Sequence, residues 1–186
     1  MDAVLLGWPP DGPTLRLDYR RFSYAGKFVM SNTGKAVIRD EATADEESEY
    51  DEDVLATVAF NYDRTDPDTL WLRYVTVRND RRGDGLGPRL CTFVTDRAAA
   101  RDVARVRIAV NNPFAYEALY RAGFSFTGET TGIAELVLER PADSPATRSQ
   151  ETYQAGLDRY RERDLTSEER SFLERKRGQA PPAART

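Results

Sequence analysis

The stretch Val75-Thr76-Val77-Arg78-Asn79-Asp80-Arg81-Arg82-Gly83-Asp84-Gly85-Leu86-Gly87-Pro88-Arg89-Leu90 decides the reading of this chain. An apolar, β-branched run from Leu70 to Val77 turns charged, passes through three glycines in five positions, and opens into Leu86, Leu90 and Val94 at helical spacing. The pattern predicts a strand, a tight glycine turn and the start of a helix.

Such a junction aims unpaired backbone N–H groups into one small volume and adds the positive end of a helix dipole, a combination that suits a phosphate. Glycine permits positive φ and close approach of a ligand to the backbone. Arg81, Arg82 and Arg89 add cationic charge around the same point. The spacing is neither Gly-x-Gly-x-x-Gly of a dinucleotide site nor the four-residue gap followed by Lys-Ser/Thr of a nucleotide P-loop.

What does fit is Arg82-x-x-Gly85-x-Gly87, which resembles the pyrophosphate-binding motif of the GNAT superfamily of acyl-CoA-dependent N-acyltransferases. Downstream, Asn112-x-x-Ala115 followed by Leu119-Tyr120-Arg121-Ala122-Gly123-Phe124 is similar to that family's second signature. Two motifs in the right order, spanning roughly residues 54 to 140, make the resemblance specific. It implies an α/β (α+β) fold with a mixed, largely antiparallel central sheet and helices on both faces. It also implies acetyl-CoA as co-substrate and a primary amine as acceptor.

Composition bounds the alternatives. Hydrophobic residues make up 40% and charged residues 31% of 186, and no apolar run approaches the length of a membrane span. The first residues lack the basic flank and apolar length of a signal peptide, and a single cysteine permits no internal disulfide, so a cytoplasmic protein is expected. With no histidine and one cysteine, Ser-His and Cys-His catalysis and histidine or zinc metal sites are excluded, and no metal is expected. A net charge of −4, with no basic cluster interleaved with aromatic residues, disfavours nucleic-acid binding.

In chain order, residues 1 to 13 read as an irregular lead-in because of Pro9-Pro10 and Asp11-Gly12-Pro13. Alternation at Leu15, Leu17 and Tyr19 predicts a strand that Phe22 and Tyr24 extend, and Lys27–Met30 and Lys35–Ile38 read as a hairpin around Ser31-Asn32-Thr33-Gly34. This departs from the family, which has two helices between its first two strands. From Asp40 to Asp53, nine of fourteen residues are acidic, which predicts a mobile, solvated loop and leaves room for a rim that attracts a cationic amine.

Val54–Tyr62 and Leu70–Arg78 read as antiparallel strands, Gly85 to about Arg101 as a helix, and Val103–Val110 as a strand. Asn112–Ala122 follows as a second helix, with Phe124–Gly128 and Ile133–Glu139 as a closing hairpin. The break at Pro141–Pro145 divides a domain of residues 1–140 from a C-terminal extension, 141–186. In that extension, polar helices are expected over 149–163 and 166–177 and disorder over Gly178–Thr186. Tyr153, Leu157 and Tyr160 give the first of these helices a narrow apolar stripe that fits against the domain or a second subunit, so a homodimer is compatible with the sequence.

The resemblance assigns roles residue by residue. Backbone amides of Gly83, Asp84, Gly85, Leu86 and Gly87 would hold the diphosphate, with Arg81, Arg82 and Arg89 around it, while Pro88 offers no N–H. Val75, Thr76 and Val77 would lie beside the pantetheine and acetyl groups, where their strand splays from the one ending near Val110. Asn112 would both cap the second helix and lie near the pantetheine arm.

Relatives carry a tyrosine acid seven residues after that Asn; here the position is Leu119, and Tyr120 stands one place later, about 100° around the helix. Tyr120 is therefore the candidate acid and Tyr116 the fallback, with aromatic packing as the competing role of each. The strand from Trp71 to Arg78 carries no carboxylate to serve as base, and Cys91, without a histidine partner, reads as core. Two other functions stay open at this point: a non-catalytic acyl-CoA-binding sensor of the same fold, and a subunit acting through its C-terminal helices.

Overall fold

A computed structural model describes residues 1–185; Thr186 lies outside the described residues. Seven strands, β1 (Asp2–Gly7), β2 (Gly34–Arg39), β3 (Val54–Tyr62), β4 (Thr69–Val77), β5 (Arg105–Val110), β6 (Ser125–Thr130) and β7 (Leu136–Pro141), form one sheet in the order β1-β2-β3-β4-β5-β7-β6. Only β4 and β5 run parallel; every other neighbouring pair is antiparallel. The helices are α1 (Leu86–Ala99), α2 (Pro113–Arg121), α3 (Gln150–Arg161) and α4 (Ser167–Arg175). Helix α1 makes the crossover that a parallel pair requires.

The first quarter of the chain departs from the sequence reading. The lead-in contains a strand: Ala3, Val4 and Leu5 pair with Ile38, Val37 and Ala36, so β1, not Lys27–Met30, is the partner of β2. Residues 15 to 24 are coil, and Ala25–Val29 is a 3-10 turn. The alternation at Leu15 and Leu17 is real burial without a ladder. Both side chains pack with Phe22, Phe28, Val37, Val54 and Ala59 into a small second core on one face of the sheet. Irregular chain thus covers the face where relatives have two helices.

The acidic stretch is anchored in part. Asp51 accepts the Arg16 amide at 2.7 Å and its own amide donates back to the Arg16 carbonyl at 2.8 Å.

The opposite face carries the main core, and the buried side chains of all four helices belong to it, so the helices do not divide between the two faces. Helix α1 contributes Leu86, Leu90, Cys91, Val94 and Ala98, the i, i+4 pattern expected of a helix laid on a sheet. Burial pushes the Cys91 thiol up from 9.0 to about 12, because the thiolate cannot be solvated there.

Helix α3 joins the same core through Tyr153, Leu157 and Tyr160. The Tyr153 ring stacks on Tyr116 at 5.9 Å, and Tyr160 donates its hydroxyl to the Val110 carbonyl at 3.0 Å. Glu117, buried on α2, is held by the Tyr153 hydroxyl and by Lys176 at 3.0 Å. Burying three such side chains contributes about 1.5–3 kcal/mol each. Residues 141–185 therefore share the core of the strands before them.

Gly156 is where α3 comes closest, since a Cβ there would stand 2.0 Å from the Tyr116 hydroxyl oxygen. Alanine at 156 gains about 1 kcal/mol of helix propensity but overpacks the contact by about 1–3 kcal/mol and breaks the Tyr116–Tyr153 carbonyl bond, worth about 1 kcal/mol. Gly156→Ala is expected to lower the urea unfolding free energy by about 2 kcal/mol. For Cys91, a thiol-specific reagent at pH 8 should leave the native chain unmodified and react fully once urea is added. The sign follows from the raised thiol: its contribution to stability is intact below the unfolded value and is lost as pH climbs towards about 12.

Candidate active site

Strand β4 is where the sheet opens. Its ladder to β5 covers Thr69–Leu72 against Arg105–Ile108 and stops there, although β4 continues to Val77 and β5 to Val110. The cause lies on the other edge of β4: Ala59 pairs with Tyr74 and Phe60 with Leu72, leaving Arg73 as an extra, bulged residue. A bulge bends a strand and increases its twist. The bend starts at the residue after the last rung to β5, and the two strands part.

The parting exposes backbone groups of known direction. Arg78 donates its amide to the Leu55 carbonyl at 2.9 Å, so Arg78 and, two residues back, Thr76 face β3. Val75 and Val77, opposite in phase, turn their N–H and C=O groups into the gap. Thr76 places its side chain on the face opposite the helices. Its hydroxyl is fully enclosed and has no hydrogen-bond partner among the described residues.

The chain leaves the gap through a 3-10 turn, Asn79–Arg81, and enters α1 through Gly83 and Gly85, at φ 91° and 76°. Gly85 is the N-cap of α1, in the left-handed conformation and without a side-chain cap. Among the described residues, the amides of Gly83, Gly85, Leu86 and Gly87 donate to no protein acceptor. An unpaired row of donors at the positive end of a 14-residue helix fits a diphosphate, and the Val75 and Val77 backbone fits the amide-rich arm and carbonyl that follow one in an acyl-CoA, while the enclosed Thr76 hydroxyl offers such an arm no contact. The residues present therefore suit the co-substrate that the sequence implies.

Side chains around the loop have distinct partners. Arg81 is neutralised by Asp84 at 2.7 Å. Arg82 donates to the Ser23 hydroxyl at 2.9 Å and Arg89 to the Met1 carbonyl at 3.1 Å, so among the described residues neither is ion-paired. Asp80 is bound to Arg78 at 2.6 and 3.0 Å, and that guanidinium holds its carboxyl below the usual range. Asn112 caps α2 by accepting the Ala115 amide at 2.8 Å.

Tyr116 and Tyr120 lie elsewhere. Both have 0% exposure. Tyr116 donates its hydroxyl to the Tyr153 carbonyl at 3.0 Å, and burial, with Tyr120 beside it, pushes its phenol far above the ordinary tyrosine value. The Tyr120 hydroxyl accepts the Phe126 amide at 3.0 Å, and its ring lies 4.9 Å from those of Tyr116 and Tyr153. The i, i+4 spacing sets both tyrosines on the face of α2 that α3 and β6 cover. Packing is the role this geometry gives them.

Sequence reasoning missed a cleft beside the splayed strand. Tyr19, Phe22, Ser23, Tyr24, Ala25, Gly26 and Lys27 line an open cleft of about 570 Å³. The Tyr24 ring lies 5.8 Å from that of Tyr74 on β4, and the Lys27 ammonium 5.7 Å from the same ring. Through Arg82–Ser23 and Tyr24–Tyr74, the cleft adjoins both the glycine loop and the splayed strand. Reading 15–24 as a strand hid it; the signal available was Tyr19 and Tyr24, five positions apart and so on opposite faces of any strand.

The described residues contain no group of histidine, cysteine and carboxylate side chains spaced to hold a metal, and no helix long and apolar enough to cross a membrane.

Comparison with known proteins follows the same lines. The profile of the Acetyltransferase (GNAT) family matches residues 16–124. No curated protein matches the chain in sequence. Similar solved structures include an N-acetyltransferase from Staphylococcus aureus Mu50, with 15% identity, 59% of this chain and 68% of the other covered, and a TM-score of 0.48. Nourseothricin acetyltransferase has 18% identity, 75% and 87% coverage and a TM-score of 0.49, and Tetrahymena GCN5 has 15%, 67% and 77%, and 0.48. More than half of the chain is matched by the family profile, and the sheet parts beside a glycine loop of unpaired amides: the chain belongs to the GNAT acetyltransferase family.

Proposed function

We propose that this acetyltransferase moves the acetyl group of acetyl-CoA onto a primary amine by direct attack. The observation that carries the reading is the gap between β4 and β5, with the Val75 and Val77 backbone turned into it, the unpaired glycine-loop amides at its end and the tyrosine-lined cleft adjoining both.

The cofactor supplies an activated thioester; the chain supplies position and charge. Amides of the loop and the unneutralised Arg82 and Arg89 bind the diphosphate. An N–H from Val75 or Val77 is fixed in the gap before the reaction, and there it stabilises charge growing on the acyl oxygen at no reorganisation cost.

Direct attack is favoured because the chain lacks an acyl carrier. Cys91, the strongest nucleophile by type, is buried on α1 with its thiol pushed up to about 12, and there is no histidine to activate a hydroxyl. In balance, a C–N bond forms, the C–S bond breaks, and one proton passes from nitrogen to the departing sulfur.

No side chain near the cleft is placed as a strong base. Asp18 is paired with Arg20 at 2.8 Å, Glu52 with Arg21 at 2.5 Å and Asp80 with Arg78, and arginine holds the Asp18 and Asp80 carboxyls low. The amine therefore enters uncharged, and the cleft selects the neutral form: its one lysine, Lys27, disfavours an ammonium.

Two measurements test the reading. In thermal unfolding, acetyl-CoA at about a hundred times its dissociation constant adds about 2.7 kcal/mol to the wild type and nothing to Gly85→Glu, which sets a carboxylate at the anion loop. Thiol release with a panel of amines should give a kcat/KM that rises with pH and levels at each amine's own pKa, with the same profile in Tyr120→Phe. A wild type that acetyl-CoA does not stabilise would sink the proposal; a profile whose break moves in Tyr120→Phe would restore Tyr120 as the acid.

A further inference from the structure

Beyond α4 the chain was expected to be disordered, yet residues 178–185 return across the molecule along a row of polar anchors. Gln150 Nε2 donates to the Gly178 carbonyl at 2.9 Å and Gln154 Nε2 to that of Gln179 at 2.8 Å. One guanidinium nitrogen of Arg148 bridges the carbonyls of Pro182, at 2.9 Å, and Tyr120, at 2.8 Å. Finally the Arg185 amide donates to the Arg121 carbonyl at the end of α2, at 2.8 Å. The anchors are spaced along the whole arm, and Pro181-Pro182 stiffens its middle.

The arm ends at the glycine loop. Arg185 Nη1 lies 3.0 Å from the point where a Cβ on Gly85 would stand. Gly85 is the left-handed N-cap of α1, at the centre of the unpaired amides. We propose that Arg185 is a phosphate-binding residue of the acyl-CoA site, delivered to the diphosphate by the arm; this rests on the acetyl-CoA reading given above.

The charge arrangement supports it. A guanidinium at the positive end of a helix, with Arg82 on the loop and Arg89 in the first turn of α1, neither of them ion-paired among the described residues, is a like-charge assembly. Residues 178–185 bring no carboxylate to relieve it. A diphosphate between these groups turns the repulsion into charge-assisted hydrogen bonds, and a planar guanidinium can make two of them at once. Because the arm is held by α2 and α3, the cation arrives with little chain entropy left to lose. The tail that the sequence reads as disordered and the glycine turn become halves of one site.

Binding measured by calorimetry with CoA, 3′-dephospho-CoA and pantetheine decides the point. Arg185→Ala, and separately removal of residues 179–186, should raise the Kd of CoA and of dephospho-CoA about tenfold, flatten the salt dependence of binding, and leave pantetheine, which has no diphosphate, unchanged. Arg185→Lys should recover part of the loss, an outcome a merely structural arm would not give. Unchanged Kd values in Arg185→Ala overturn the inference. So does tighter binding, which would make the arm a shield over the loop, or a loss confined to CoA, which would assign Arg185 to the 3′-phosphate. If the wild type binds no CoA at all, the acetyl-CoA reading falls first and this one with it; if the wild type binds and the variant binds equally, only the role of Arg185 is lost.

Discussion

The architecture turns on one extra residue. Without the Arg73 bulge, β4 would continue its ladder along β5 to Val77, and the N–H groups of Val75 and Val77 would be spent on the sheet. With it, the strand bends away just as the parallel pairing ends, and backbone groups that a central strand would satisfy are left to a ligand. Such a vacancy is costly inside a protein, where unpaired amides lose about 1–3 kcal/mol each. It is tolerable here because Val75 and Val77 are only half-buried, so solvent reaches them, and because the pairing of β4 with β3 is kept on the other edge.

The rest of the structure holds that opening at a fixed width. On one side α1 is locked to the sheet by a continuous apolar stripe, so the amides of its first turn cannot drift from the gap. On the other side α2 begins at Asn112, capped by its own side chain, and is pressed down by α3 through four buried tyrosines. Tyr160 reaches the Val110 carbonyl, the last residue of β5, and ties the far lip of the gap to α3. The C-terminal helices thus act on the site by fixing its walls, and the buried Glu117–Lys176 contact adds a bond between α2 and the end of α4.

Much of this was legible because the governing constraints are local. A run of β-branched residues, a glycine turn and an i, i+4 stripe identify β4, the loop and α1 without reference to anything distant, and Asn-Pro opens α2 for the same reason. What was not legible depends on partners far away in sequence. The Ala3–Leu6 run carries no polar alternation and precedes two prolines, so nothing local says that it pairs with residues 36–38. Leu15 and Leu17 alternate as a strand would, yet irregular chain lying on a sheet also buries every second side chain. The arm over 178–185 is polar and proline-rich in sequence; its order comes from Gln150, Gln154 and Arg148, side chains of another helix and its approach.

The tyrosines show how far a motif carries. The family pattern points at position 119 and finds leucine there, with Tyr120 beside it; a shift of one residue is a rotation of about 100°, enough to move a hydroxyl from a cleft into a core. Here the rotation has a visible consequence, because the face that bears Tyr116 and Tyr120 is the one on which α3 lies, and Gly156 is small so that the Tyr116 hydroxyl can fit beneath it. A glycine inside a polar helix costs about 1 kcal/mol relative to alanine and therefore needs a reason. That glycine, and the Tyr153-Leu157-Tyr160 stripe around it, were the sequence's own signs that the aromatic face of α2 was already taken. That face is committed to packing, and under the acetyl-transfer proposal the work falls to backbone donors and arginines.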